Sequence, residues 1–268
     1  MTESRAVRVA LRVASVLVVA FLYLPLVVLA IYAFNESRIQ AWPPTGFTLK
    51  WFGEAAGNPS VAKAVTTTLA AGSVATALAL ILGTLAALAV HRFRFFGRET
   101  ISFLLVLPIA LPGVVTGIAL QRTFKTFDIN LGLMTVIVGH ATFCVVIVFN
   151  NVIARLRRLP TSPEEASSDL GADMWTTFRR VTAPRLGTAL LSGALLSFAL
   201  SFDEIIVTNF TAGPGTQTIP LWILSAIQRP NELPVVNVVA LVLILVSVIP
   251  VWLAQRLAGA EATAGARM

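Results

Sequence analysis

Two adjacent carboxylates, Asp203 and Glu204, stand in an otherwise apolar run from about Thr188 to Phe210. A charge at membrane depth costs roughly 2.5–3.5 kcal/mol on insertion scales, so it persists where it faces a bundle interior or a watery path. In such a place a carboxylate attracts cations strongly, because a low local dielectric weakens the screening between opposite charges. On one continuous helix, neighbouring side chains point about 100° apart. One acid is then free to face a pathway while the other pairs with an adjacent helix. Phe198 and Phe202 precede the pair and suit either an apolar gate or core packing. The competing reading of the acids is a helix-packing site, or a position near the outer interface where solvation is easier.

A second constellation is polar. Ser162-Pro163-Glu164-Glu165 reads as a helix start, with Ser162 as cap, Pro163 at the first helical position and Glu165 placed for a capping box. Both glutamates favour the positive end of that helix. Gly171 can end it in a left-handed conformation. Asp173 then caps a second short helix that carries Trp175 and Phe178 on one face, and Pro184 starts the chain's return. A return alone needs only a handful of residues, so a helix-turn-helix with two aromatics is read as a docking element.

Other chemistries find no support. The sequence has no Walker A lysine motif and no H-E-x-x-H, and its two histidines, His91 and His140, are far apart. A lone cysteine, Cys144, excludes an internal disulfide and a cysteine-rich metal site. No catalytic residue and no metal ligand is assigned.

The elements that must carry these groups follow from composition. Of 268 residues, 56% are hydrophobic and 12% charged, about half the charge of a soluble domain. A soluble globule of this size cannot hide so much apolar surface. Six spans of about 20 apolar residues are expected: Val13–Phe34, Val65–Val90, Ile101–Gln121, Leu131–Ala154, Thr188–Phe210 and Pro234–Leu257. The first follows Arg5, Arg8 and Arg12, but it is too long for a signal peptide and no cleavage site follows it. Pro108 and Pro112 interrupt the third and free backbone carbonyls, as tolerated near cavities or hinges. Gly113 and Gly117 form a GxxxG pattern, read as helix packing. With both termini inside, 14 of the 20 Lys and Arg fall on the cytoplasmic side. The net charge of +7 is therefore a topology signal and implies no nucleic acid. The loop aromatics Trp42, Phe47, Trp51 and Phe52 suit the headgroup level. The expected organisation is a helix and external loop over 1–60, a core of five spans over 61–257 with a cytoplasmic loop at 155–187, and a cytoplasmic tail at 258–268.

The polar loop carries a family resemblance. Glu165-Ala166-Ser167, three residues, Gly171, nine residues, Val181-Thr182-Ala183-Pro184 resembles the EAA motif of ABC-importer permeases. Ser167, Val181 and Ala183 depart from it by small or apolar swaps. Within that family, Leu107–Gly117, Phe47–Phe52 and Ser201-Phe202-Asp203-Glu204 look like the second-subunit spermidine/putrescine permeases.

The resemblance implies an all-α, polytopic, N-in/C-in type I permease in a bacterial inner membrane. Its partners would be a second permease, a dimer of ATP-binding subunits, an extracytoplasmic solute-binding protein and membrane lipid. This chain would bind no cofactor, ATP and Mg being held by the partner subunit. The coupling surface would comprise Glu164, Glu165, Ala166, Ser167, Gly171, Trp175, Phe178 and Pro184. Asp203, Glu204, Phe198 and Phe202 would line the path of a small cationic solute, a polyamine, moved by alternating access. A permease for another small solute, or an ion-coupled secondary transporter, are the alternatives. The latter would need several buried ionisable groups or broken-helix repeats.

Overall fold

The computed structural model describes residues 5–247, except the side chains of Ala6 and Val106. Its architecture is all-helical, and no β-strand occurs among the described residues. Two compact units divide the chain: Lys63–Leu221 forms one, and the segments before and after it form the other.

In the flanking unit, α1 spans Arg5–Ala33 and α2 spans Lys50–Ala56. The connection between them is folded back on itself. Asn35 and Phe47 form an isolated bridge, and Trp51 Nε1–H donates to Asn35 O at 2.7 Å. Trp51 is therefore buried, against the expectation of a headgroup anchor, because its indole N–H finds a backbone partner inside the loop. Trp42 and Phe47 remain exposed.

The Lys63–Leu221 unit is built around α6, Leu133–Leu156. This helix packs along α10, Gly187–Phe202, and also meets α4, Arg98–Ala110. Val148, Phe149 and Val152 of α6 join Ala79, Ala87 and Val90 of α3, Pro59–Arg92, in one buried cluster. The small residues along α3 allow that close approach.

Among the described residues, four helices are long and apolar enough to cross a membrane: Val7–Ala33, Pro59–Arg92, Leu133–Leu156 and Pro230–Ser247. A fifth arises if Met174–Arg185 and Gly187–Phe202, which meet at 67°, are one bent span. The sixth expected span runs past residue 247, so its end and the 258–268 tail lie outside the described residues.

Two expected spans are broken helices. The third divides into α4 and α5, Gly113–Thr126. Pro108 is accommodated inside α4, and the break falls at Leu111 (φ −83°, ψ 143°). Leu111 precedes Pro112, whose ring pushes the residue before it out of the helical region. The fifth divides into α10 and α11, Ile206–Thr211. Asp203 and Glu204 thus do not sit on one continuous helix, and the 100° argument about their directions does not apply.

Candidate functional site

The 155–187 segment folds as two short helices and a wide turn. Helix α7 covers Ser162–Asp169 with Thr161 at its cap position, so Ser162 is its first residue and does not cap it. Glu165 makes no capping box and stays exposed. Glu164 is engaged elsewhere. Its Oε1 lies 2.7 Å from the Arg92 guanidinium at the end of α3 and accepts a hydrogen bond from the Thr182 hydroxyl. Arg92 also donates to Thr182 Oγ1 at 2.9 Å. Burial disfavours the Glu164 carboxylate, but the bonds from Thr182 and Arg92 outweigh it and hold the carboxyl below its ordinary 4.5. This three-residue clamp ties both ends of the segment to α3.

Gly171 ends the α7 turn at φ +81° with open space around it. The left-handed conformation costs an L side chain roughly 1–2 kcal/mol. Gly171→Ala is therefore expected to loosen the segment through its backbone alone. Hydrogen exchange across 155–187 should rise about fivefold, the factor that ~1 kcal/mol represents. Unchanged exchange would show that the turn is not strained.

Asp173 caps α8, Met174–Thr177, by accepting from Thr176 N–H at 2.9 Å. Bonds from the Thr176 side chain and from its backbone N–H hold the Asp173 carboxyl below the ordinary 3.8. Ser167 bonds Thr177 at 3.0 Å, which joins α7 to α8. The Trp175 and Phe178 rings lie together, 5.8 Å apart. Leu170, Met174 and Trp175 are exposed on this platform, at 89%, 66% and 65%. Ala166 and Pro184 are exposed too. From Phe178 to Thr182 the chain forms a π-turn in which Ala183 N–H reaches back to Phe178 O. Pro184 has no N–H to continue an ordinary α register, and such turns recur at functional sites.

Around the α10–α11 break, Asp203 is exposed as the first residue beyond α10. Its carboxylate meets no hydrogen-bonding or ionic partner among the described residues. Glu204 instead accepts from Val207 N–H at 2.8 Å, which satisfies one of the unpaired donors at the start of α11. Phe198 and Phe202 are half-buried, their rings 6.0 Å apart. Helix α11 packs on α5. At Gly117 a Cβ would stand 2.6 Å from the Phe210 ring, so only glycine permits that contact. Gly113 faces Ile206 across the same seam.

Arg92, Thr182 and His140 were not legible as site residues. Arg92 reads as a topology charge, and Thr182 as an unremarked position of the motif. His140 reads as isolated, yet its ring sits between Ser201 and Thr208.

An all-helical membrane chain with broken spans and one large polar platform has the makings of a transport permease. The chain belongs to the family of binding-protein-dependent transport system inner membrane components, whose model matches residues 79–260. It is 36% identical over 228 residues to the putrescine transport system permease protein PotI of Escherichia coli K12, covering 82% of this chain and 80% of that one. It is 33% identical over 240 residues to the spermidine/putrescine transport system permease protein PotC of the same strain, covering 89% and 90%. A bacterial ABC transporter involved in importing the acidic polysaccharide alginate has the same fold, with TM-score 0.72 and 17% identity over 96% of this chain and 99% of that one. The chain is thus the permease component of an ABC importer, close to polyamine permeases.

Proposed function

We propose that this chain forms half of a polyamine pathway in an ATP-driven importer and works by alternating access. The observation that carries the solute class is the exposed, unpartnered carboxylate of Asp203 beside a helix break, in a chain similar to putrescine and spermidine permeases. An extended polyamine presents ammonium groups that such a carboxylate can hold and release.

In this reading the chain crosses the membrane six times, once within residues 1–60 and five times in a core of residues 61–257, with both termini inside. The 155–187 platform then meets an ATP-binding subunit, which holds ATP and Mg. The exposed face formed by Leu170, Met174 and Trp175 supports that role, since exposed apolar groups on a rigid element mark an interaction surface. ATP-driven closure of the partner dimer pulls the platform and rocks α3 with it through the Glu164–Arg92 clamp. A second permease completes the pathway, and an extracytoplasmic binding protein delivers the solute.

The test is reconstitution of the four components in proteoliposomes. ATP hydrolysis should rise with putrescine-loaded binding protein, and labelled putrescine should accumulate. Stimulation by another loaded solute alone would reassign the substrate. Uptake by this chain alone, driven by an ion gradient, would overturn the importer reading.

A further inference from the structure

We propose that His140 is a positioning residue that struts the α10–α11 break and sets where the Asp203 carboxylate stands; its transport consequence rests on the reading of Asp203 as a pathway group. His140 lies in the N-terminal third of α6 and is fully buried. Its Nδ1 is 2.7 Å from Ser201 Oγ, in the last turn of α10. Its Nε2 is 2.8 Å from Thr208 Oγ1, in α11. One ring therefore touches both sides of the interruption at residues 203–205.

Counting hydrogens assigns the ring's roles. The Thr208 hydroxyl has a single proton, which it donates to Glu204 O at 2.8 Å. Thr208 Oγ1 can then only accept from the imidazole, so Nε2 carries a proton. Nδ1 is left to accept the Ser201 hydroxyl proton, which gives that buried group its partner. The resulting chain runs from Ser201 through His140 and Thr208 to the Glu204 carbonyl. Glu204 is also fixed at its other end, where its carboxylate caps α11. Asp203 is flanked by these fixed groups and, among the described residues, is itself held only by its own backbone bond to Ala199 O. The Phe143 ring, 5.6 Å from the imidazole, packs against it from the same helix. A polar side chain in an apolar span is costly unless bonded. Here all of its bonding capacity is directed at the break.

The experiment uses the reconstituted importer. The native cysteine, Cys144, is buried, so a cysteine placed by Asp203→Cys reports on position 203 through its rate of modification by a cationic thiol reagent. Thr208→Val keeps the shape and removes the hydroxyl. It should change that rate about tenfold, as expected when a buried polar group loses its partner, and Thr208→Ser should restore it. With Asp203 intact, Thr208→Val should lower putrescine moved per ATP by about tenfold. Ser201→Ala tests the other side of the ring independently. If both variants assemble with unchanged reactivity at 203, or only lower the yield of complex, His140 is a packing residue and the proposal fails. If reactivity shifts but Asp203→Asn transports like wild type, the strut stands and the pathway reading fails.

Discussion

Arg92→Glu is expected to uncouple the importer, with putrescine uptake falling at least tenfold while the complex still inserts and assembles. Among the described residues, Arg92 is the one cationic group that bonds both Glu164 and Thr182. The ion pair is three-quarters shielded on each side, at 22% and 27% side-chain exposure. A hydrogen bond to a charged group contributes roughly 1.5–3 kcal/mol, discounted here for partial solvent screening. Reversal does more than delete the bond. It sets two carboxylates against each other and leaves the fully buried Thr182 hydroxyl between them. The platform would then lose its ion-pair link to α3. The diagnostic measurement is putrescine moved per ATP hydrolysed. The double exchange Arg92→Glu with Glu164→Arg should recover part of it. A normal ratio in the single variant would show that force reaches the helices by another route.

The same clamp has a defined pH response. Its bonds hold the folded Glu164 carboxyl below the ordinary 4.5, so its contribution to stability is complete above that value. The contribution is lost as pH falls through the depressed folded value, when the carboxylate takes up a proton. Hydrogen exchange of 155–187 should accelerate in that acid range in the native protein. In Glu164→Gln this acid step should be missing.

Asp203→Asn is expected to reduce putrescine uptake about tenfold, the scale of roughly 1.4 kcal/mol in one charge–charge contact. The substitution preserves shape and removes only the charge. Glu204→Gln should have a smaller effect, because an amide oxygen can still accept from Val207 N–H and cap α11. This order of effects separates a solute-facing acid from a structural one. Equal uptake by Asp203→Asn and wild type would make Asp203 a solvated helix end, and a larger loss in Glu204→Gln would move the pathway role to its neighbour.

Much of the platform was legible in the sequence because its signals are local. Gly171 takes the left-handed conformation its type suggests, Asp173 caps the helix that follows it, and the Trp175 and Phe178 rings lie tilted against each other 5.8 Å apart. The assignment of the first cap failed by one residue, with Thr161 in the position given to Ser162. Glu164 did not serve its own helix because a stronger partner, Arg92, was within reach. Asp203 and Glu204 stood out as acids in an apolar run. Their division of labour was not visible, since it depends on a helix break that no proline or glycine announces.

Composition, apolar periodicity and the EAA-like spacing by themselves determined that this is a helical membrane permease with a polar platform. Those properties follow from what each segment must bury and from turn chemistry acting over a few residues. Tertiary structure decided which groups act together: Arg92 with Glu164 and Thr182, and His140 with Ser201 and Thr208. These partners lie from 61 to 90 positions apart where the bonds cross between helices. Their pairing depends on how α3, α6 and α10 pack, and no local pattern encodes that geometry.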